Sequence, residues 1–414
     1  MLDVVVVGAG AAGIAAARRA VQLGLTVMVV EAKPTVGGRA STDNVTFGVP
    51  FDRGCYWLHS PEHNPLKARA DELGIRYLNG AQEVRYSREG RWLNGAETGA
   101  CKAYIEASFE RVEAAGRAGQ DCAASELFAE PHPWHAAFEA EFIAKQGVPL
   151  NEASTLDFAR YVWTGEDLPV IGGLGNLIHR LARGLSLSVD TPVSRMELST
   201  AGSVRLDTPR GTLEARAAIL TISTGVLQSG AIRFSPELPG WKRDAIGALP
   251  MGSCNKIALS FVRPVLDVCD DCMVLPLRGP IEAVELVLRP GGYEMAIGLL
   301  NGPFGKEIAE AGASAMAEYV LERLVEVFGS DLRKALYPVQ VMADWDRDPF
   351  VRGYVSAALP GLADARLNLL RPIDDRLFFA GEATSLNFMG DVHGAWLSGI
   401  EAAEAVARAL YSPS

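Results

Sequence analysis

The chain opens with an apolar run at residues 4–7, a glycine-rich turn and an alanine-rich segment with helical spacing. A second apolar run at residues 26–30 follows and ends in Glu31. Strand, tight turn, helix and strand in this order predict a βαβ unit that binds a dinucleotide. Glu31 is placed to accept a hydrogen bond from a ribose hydroxyl, and Ala32 belongs to the same predicted binding segment.

The glycines of this turn have separate tasks in the prediction. Gly8 allows the sharp bend, Gly10 lets the backbone approach a pyrophosphate, and Gly13 lets the helix pack closely on the strand. Ala12 lies in the first helical turn, where free N–H groups face the phosphates. The sequence Gly37-Gly38-Arg39 then favours FAD, because a planar arginine fork suits two phosphates.

Beyond the opening unit, helical spacing and strand-like alternation mark further elements. Helices are predicted at residues 65–73, 102–118, 133–146, 311–328 and 394–410. Strands are predicted at residues 75–78, 187–190, 193–198, 204–207, 213–222, 254–261, 283–288 and 376–380.

These elements predict an α/β fold in two domains, as the length of 414 residues favours. The first is a doubly wound, Rossmann-type FAD-binding domain of the glutathione reductase kind, joined from residues 1–78, 186–250 and 370–414. The second is a substrate-binding domain of mixed sheet and helices, joined from residues 79–185 and 251–369.

Net charge and hydropathy argue against some classes of binding partner. A formal net charge of −11 and a pI near 5.2 argue against nucleic acid and anionic membranes, and they are compatible with cationic small molecules. No charge-free apolar run reaches the roughly 18 residues of a membrane span, so no membrane association is predicted. Because the first strand begins at residue 3, no targeting segment is expected and a cytoplasmic location is predicted. The oligomeric state stays open.

The six cysteines do not form the pattern of a disulfide framework. Cys269 and Cys272, with His132 and His135, could supply four zinc ligands. Their spacing is unusual, and the aspartates between the two cysteines disfavour a thiolate. Reduced thiols are therefore predicted, and no metal site.

Four blocks together resemble the flavin-containing amine oxidases, and the polyamine oxidase branch more than the monoamine oxidases. They are residues 1–39, 52–59, 225–256 and 379–399. The third block, with Gly225-Val226-Leu227-Gln228 and then Phe234-Ser235-Pro236, is similar to plant polyamine oxidases. Residues 80–185 match poorly, so the resemblance does not fix the substrate.

The resemblance implies an amine oxidase: an amine gives a hydride to flavin N5, water hydrolyses the imine, and O2 reoxidises the flavin to give H2O2. Two other classes stay open. One is another flavin oxidoreductase of the same fold, such as an amino-acid oxidase or a desaturase-like dehydrogenase. The other is a flavin-bearing binding protein without turnover.

Lys256 and His59 are the first two catalytic candidates. On spacing alone, Lys256 is a strand lysine facing solvent. The resemblance instead implies a buried lysine that holds a water against flavin N5 and assists the reaction with oxygen. His59 falls where polyamine oxidases carry a polar residue beside the flavin, and a structural histidine is the alternative.

The third catalytic candidate is Asp391. Many relatives frame the reacting amine with two aromatic rings, whereas this chain has Val355 and Asp391 at those positions. Tyr354 lies one residue from the first of them. Asp391 could pair with a distal ammonium, act as a general base, or cap a helix.

The resemblance also implies flavin contacts. Tyr354 stands where monoamine oxidases carry the cysteine that binds flavin covalently, so non-covalent FAD is expected. The last helix would aim its N-terminal dipole at the flavin. The remaining implied cofactor residues are Val193, Trp345, Gly381, Glu382 and Val392.

Overall fold

The computed structural model describes residues 1–80, 82–199, 202–279 and 282–411. The described strands, in chain order, are β1 Leu2–Val7, β2 Val27–Val30, β3 Thr42–Asp43, β4 Phe51–Asp52, β5 Trp57–His59, β6 Val84–Arg88, β7 Arg91–Trp92, β8 Asp167–Pro169, β9 Leu187–Ser188, β10 Arg195–Leu198, β11 Val204–Thr208, β12 Gly211–Leu220, β13 Arg233–Ser235, β14 Cys254–Phe261, β15 Cys272–Leu277, β16 Val284–Leu288, β17 Met295–Asn301, β18 Leu336–Ala343 and β19 Leu377–Phe379.

The described α-helices, in chain order, are α1 Ala11–Gln22, α2 Pro65–Leu73, α3 Gly95–Arg117, α4 His135–Gln146, α5 Thr155–Ala159, α6 Leu174–Leu181, α7 Thr224–Gln228, α8 Gly240–Gly247, α9 Gly302–Glu310, α10 Ala313–Phe328, α11 Asp331–Ala335, α12 Ala365–Leu370 and α13 Val392–Tyr411. Among the described residues, no helix is both long and apolar enough to cross a membrane.

The first sheet has the strand order β13-β10-β11-β12-β1-β2-β9, and β19 also pairs with β12. Strands β12, β1, β2 and β9 run parallel, whereas β10, β11 and β12 form an antiparallel meander. Both faces of the parallel part are covered, one by α1 and α13 and the other by a second hydrophobic cluster, so β1 is a continuous apolar run with Val4, Val5 and Val6 fully buried.

Helix α13 packs against α1 on one side of this sheet. A Cβ on Gly399 of α13 would lie 2.1 Å from the carbonyl oxygen of Ala12, so glycine permits the close contact between α13 and α1. The two helices and the sheet share a buried cluster that includes Ala16, Ala403 and Val406. The N-terminus of α13 thereby lies near the end of β1.

The second sheet has the order β18-β14-β17-β16-β15-β6-β7. Its pairs are antiparallel except β15 with β6. One face packs on α10 through residues such as Ile257 and Val320. The opposite face carries Cys254, Ala258 and Leu299 and packs on aromatic residues that follow β4. This second face is the one turned towards the cavity described below.

The predicted α/β class is confirmed, with corrections to the bounds of several elements. The helix predicted from residue 102 begins at Gly95, where Asn94 and Glu97 form a capping box, and the strand predicted over 213–222 spans Gly211–Leu220. Residues 75–78 do not form a strand; only an isolated bridge joins Tyr77 to Val170. The helix predicted from residue 311 begins at Ala313, because Gly312 is left-handed with φ +97° and separates it from α9. The strand predicted from residue 193 begins at Arg195.

The division into two domains stays a prediction. The first sheet takes its strands from residues 2–30, 187–235 and 377–379, and the second from residues 84–92 and 254–343. These segments fall inside the predicted pieces. The last three residues of the third predicted piece, 412–414, lie outside the described residues.

Candidate active site

The turn after β1 depends on glycine for steric reasons. A Cβ on Gly13 would lie 1.9 Å from the carbonyl oxygen of Gly8, and a Cβ on Gly8 would lie 2.6 Å from Thr221 Oγ1. α1 begins directly behind Gly10, and no side chain caps its first N–H groups. These N–H groups lack intrahelical partners, so the end of α1 is a ready site for an anion.

Glu31 is fixed by the backbone around this turn. Its carboxylate accepts hydrogen bonds from the N–H of Ala9 at 2.7 Å and of Lys33 at 2.8 Å. Burial raises the pKa of Glu31, and those two bonds oppose the shift. A carboxylate has about four lone-pair positions, so two backbone donors leave acceptor capacity for a hydroxyl.

A second turn brings Arg39 to the end of β19. Arg39 Nη1 lies 3.1 Å from Glu382 Oε1 and also donates to the carbonyl of Tyr354. Glu382 Oε2 accepts from the hydroxyl of Ser356 at 2.7 Å and from the N–H of Gly390 at 3.2 Å. The guanidinium is thus held beside the turn that contains Gly381 and Glu382.

A cavity of about 620 Å³ extends from this turn to the second sheet. With one exception, every predicted site residue lines it. These residues are Gly8, Gly10, Ala12, Glu31, Ala32, Gly38, Arg39, His59, Val193, Lys256, Trp345, Gly381, Glu382, Asp391 and Val392. The exception is Gly13, which packs beneath Gly8.

Lys256 is buried in the cavity wall, so the solvent-facing alternative is wrong. Only 5% of the residue is exposed. Its Nζ donates to the carbonyl of Gly54, lies 3.4 Å from that of Asp52, and sits 5.8 Å from the ring centroid of Trp57. Burial lowers the pKa of Lys256. The amino group is held by backbone carbonyls, and no carboxylate lies within ion-pair distance of it among the described residues.

His59 lies between two carboxylates. Its Nδ1 is 2.7 Å from Asp167 Oδ1, and its Nε2 is 3.9 Å from Asp391 Oδ1. Burial would lower the pKa of His59, but the charge of Asp391 and the hydrogen bond that the imidazole donates to Asp167 outweigh burial and raise it to about 9. The imidazole is therefore a cation at neutral pH.

Asp391 has a second partner on its other oxygen. The hydroxyl of Tyr161 donates to Asp391 Oδ2 at 2.7 Å. Burial raises the pKa of Asp391, and the positive charge of His59 opposes the shift. No helix N–H group is among the described hydrogen-bond partners of this carboxylate, which counts against the helix-capping alternative. Nearby His393 is fully buried, and burial lowers its pKa to about 3.

Aromatic residues other than those of the expected frame line the cavity. Val355 occupies the expected aromatic position as an aliphatic side chain, and Tyr354 lines the cavity beside it. Tyr56 and Trp57 line it as well, with ring centroids 5.0 Å apart and an edge-to-face arrangement. The cavity therefore has aromatic walls although Val355 and Asp391 are not aromatic.

Comparison with known proteins gives a family match over most of the chain. Residues 89–407 match the model of the flavin-containing amine oxidoreductases, and residues 6–73 match that of NAD(P)-binding Rossmann-like domains. This chain belongs to the flavin-containing amine oxidoreductases.

Relatives of this amine oxidoreductase include polyamine oxidases of plants. The chain is 30% identical to polyamine oxidase 2 of Arabidopsis thaliana, covering 97% of this chain and 87% of that protein. It is also 30% identical to polyamine oxidase 4 of Oryza sativa subsp. japonica, covering 97% and 88%. A solved structure of cyclohexylamine oxidase from Brevibacterium oxydans IH-35A shares the fold, with a TM-score of 0.85, 22% identity and 99% of each chain covered. The enzyme is thus an FAD-dependent amine oxidase, similar to the polyamine oxidases.

The cavity of this amine oxidoreductase has the features that a flavin dinucleotide requires. The uncapped N-terminus of α1 and the guanidinium of Arg39 suit a pyrophosphate. Glu31 offers a fixed acceptor for a ribose hydroxyl, and Val392 places the N-terminus of α13 at the cavity. The residues present therefore fit the cofactor.

Two residues of this site were missed by the sequence analysis. Tyr161 and Asp167 lie in the region that matched the family poorly, and they reach Asp391 and His59 across 230 and 108 positions of the chain. The only available signal was the aromatic segment at residues 161–163. Of the alternative zinc ligands, Cys269 donates a hydrogen bond to Glu83 at 3.0 Å. In the described part of the chain, no three or more metal-ligating residues lie close enough together to hold a metal ion.

Proposed function

We propose that this chain binds FAD non-covalently and oxidises an amine with molecular oxygen as the electron acceptor, in the cytoplasm. When bound, FAD accepts a hydride from the carbon beside the amine nitrogen and passes the electrons to O2, which leaves as H2O2 while water hydrolyses the imine. The observation that carries the proposal is Lys256, a buried lysine held by backbone carbonyls in the wall of the cavity.

The proposal assigns a role to several residues that line the cavity. Gly8, Gly10 and Arg39 would hold the pyrophosphate, and Glu31 the ribose. Lys256 would orient water at the reacting end and stabilise negative charge that develops during reoxidation. Tyr354 supports non-covalent binding, because it stands where a covalent linkage needs cysteine.

The amine must lose a proton before it can react. With a lysine-like pKa of about 10.4, the neutral form is disfavoured at pH 7 by roughly 4 to 5 kcal/mol. Burial of the substrate amine next to a positive charge lowers its pKa and so favours the neutral form. Asp391 would oppose it if its charge were free, but His59 and Tyr161 already face both of its oxygens. The charge of Asp391 is therefore largely compensated.

An anaerobic screen tests the proposal. The flavin-loaded protein is mixed with polyamines, monoamines and amino acids while the flavin absorbance is followed, and oxygen is then admitted with a peroxide assay. Amines should bleach the flavin and oxygen should restore it with release of H2O2. Bleaching by amino acids alone would favour an amino-acid oxidase, and no bleaching by any compound would favour a binding protein.

A further inference from the structure

The turn that leads into β15 carries two cysteines without a role in the proposed reaction. Cys269 and Cys272 enclose Asp270 and Asp271, the two central residues of a four-residue turn. In such a turn the first and fourth Cα atoms lie within about 7 Å of each other, and a disulfide needs about 4.4 to 6.8 Å. The two thiols are also hydrogen-bond partners of each other, and the charge of Arg85 acts on both. Both are free thiols in the structure.

The two thiols differ in their access to solvent. Cys269 is exposed, and its Sγ donates a hydrogen bond to Glu83 Oε2 at 3.0 Å. Cys272 is fully buried, in the cluster that also holds Val274 and Leu288. An oxidant from solvent therefore meets Cys269 first, and Cys272 is the neighbouring thiol that can complete a disulfide.

Neither thiol is stabilised as a thiolate. Burial and the hydrogen bond with Glu83 raise the pKa of Cys269, and burial raises the pKa of Cys272 to about 12. Reaction with an oxidant is therefore slow, because the thiolate is the nucleophile. The same feature favours the disulfide once it has formed, since a disulfide is easily reduced when the reduced form of the pair is stabilised. The pair thus responds to a sustained supply of oxidant.

Asp271 connects this turn to the wall of the cavity. It is buried and left-handed, with φ +55°. Its carboxylate accepts hydrogen bonds from the hydroxyl of Tyr56 and from the N–H of Gly291 at 2.9 Å. Its carbonyl accepts from Gln82 Nε2 at 3.1 Å, and Gln82 Oε1 accepts from the indole of Trp57 at 2.8 Å. Tyr56 and Trp57 both line the cavity, so a movement of Asp271 reaches two aromatic residues of its wall.

A disulfide would move the turn and not the strand. The S–S bond is about 2.05 Å long, which is shorter than any contact between two separate thiols. Cys272 is fixed by the pairing of β15 with β16, in which it is opposite Leu288. The approach of the two sulfurs must therefore come from Cys269 and the residues that follow it, which include Asp271.

We propose that hydrogen peroxide converts Cys269 and Cys272 into a reversible disulfide, and that this bond lowers activity by moving Asp271 and with it Tyr56. The sulfur of Cys269 attacks a peroxide oxygen and the O–O bond breaks, which gives a sulfenic acid and one water. The sulfur of Cys272 then displaces the hydroxyl group, which leaves as a second water. Two electrons pass from the sulfurs to the peroxide, and the two thiol protons leave in the waters. The supply of peroxide by turnover rests on the proposed amine oxidation, whereas added peroxide tests the thiol pair by itself.

The test treats the wild-type holoenzyme with hydrogen peroxide, removes the excess with catalase, and follows the thiols and the kinetics together. The tryptic peptide that carries both cysteines should become lighter by two hydrogen atoms and should no longer take up an alkylating reagent. For the amine that reduces the flavin fastest, kcat/KM should fall roughly three- to tenfold, less than the hundredfold that a displacement of about 1 Å can cost. Dithiothreitol should restore both the thiols and the rate.

Two serine variants form a matched pair. Cys269→Ser should keep kcat/KM within about threefold of the reduced wild type and lose the response to peroxide. Cys122→Ser should respond as the wild type does, because Cys122 is a partly exposed thiol that contacts Thr155 instead. Tyr56→Phe should still form the disulfide but show the same kcat/KM before and after oxidation, since its hydrogen bond to Asp271 is missing.

Several results would overturn the proposal. Sulfinic acid at Cys269 without a disulfide would contradict the role of Cys272, and a loss of rate that persists in Cys269→Ser would assign the effect of peroxide to another group. A disulfide that leaves kcat/KM unchanged would refute the coupling to the cavity. If no amine reduces the flavin, the proposed oxidation fails instead. The peptide masses then decide whether the disulfide forms, and the flavin absorption spectrum before and after added peroxide decides whether it alters the cavity.

Discussion

Replacement of Lys256 by methionine separates a catalytic lysine from a structural one. Methionine fills nearly the same volume, so β14 should keep its packing. The change leaves the carbonyl of Gly54 without its donor, which costs about 1 to 3 kcal/mol of folding free energy. It also removes the amino group of Lys256 from the cavity wall. We expect turnover to fall at least about a hundredfold, which is roughly 2.7 kcal/mol in the activation free energy.

Rapid mixing resolves where the loss occurs. Flavin reduction by an amine is followed without oxygen, and reoxidation is followed after oxygen is added, with both rates expressed per bound flavin. Lys256→Met should keep its flavin and slow at least one half-reaction. Near-normal rates in both half-reactions would show that Lys256 has only a structural role in β14.

A second buried lysine provides the control. Lys242 is fully buried, and its Nζ donates to the carbonyls of Asn368, Leu369 and Arg371 at 2.6 to 3.0 Å, at the C-terminus of α12. It does not line the cavity. Lys242→Met should lower the urea midpoint of unfolding but leave both half-reactions unchanged per bound flavin. An equal loss of rate in this variant would attribute the effect of Lys256→Met to general destabilisation.

Three further outcomes are expected. Because Tyr354 replaces the cysteine of a covalent linkage, acid precipitation should leave the flavin in the supernatant, and flavin in the pellet would contradict this. Asp391→Asn should lower kcat/KM for diamines and monoamines by a similar factor of about ten, because the charge of Asp391 pairs with His59. A loss confined to diamines would instead show that Asp391 selects the substrate. Asp167→Asn should move the pKa of His59 from about 9 towards the unperturbed value of about 6.5, as measured by NMR titration of the imidazole. Since the folded-state pKa is the higher one, the stability from this pair is complete below about pH 6.5 and is lost as the pH rises through about 9, so urea midpoints at pH 6 and pH 9.5 should differ less in the variant. Equal midpoint differences in both proteins would refute the assignment.

Local chemistry made the cofactor half of this protein predictable. The turn after β1 needs glycine because a Cβ on Gly13 would collide with the backbone of Gly8, a constraint that acts within a few residues. Helix α2 begins after Asn64, whose side chain accepts from the N–H of Leu66, and it ends at the left-handed Gly74. Such signals lie beside the elements they limit, so the sequence alone determined this βαβ unit and α2.

Tertiary structure decided the chemistry of the substrate half. Alternation along residues 254–261 predicts that Lys256 shares a face with Ala258, but it does not tell which face is covered. Only the packing of the second sheet buries Lys256. His59 acquires its raised pKa from Asp167 and Asp391, which lie far away in the chain. Tyr161 reaches Asp391 only through the tertiary fold, because the two residues are 230 positions apart in the chain. Burial and charge pairing between distant segments depend on how sheets pack, and a local pattern of residues does not contain that information.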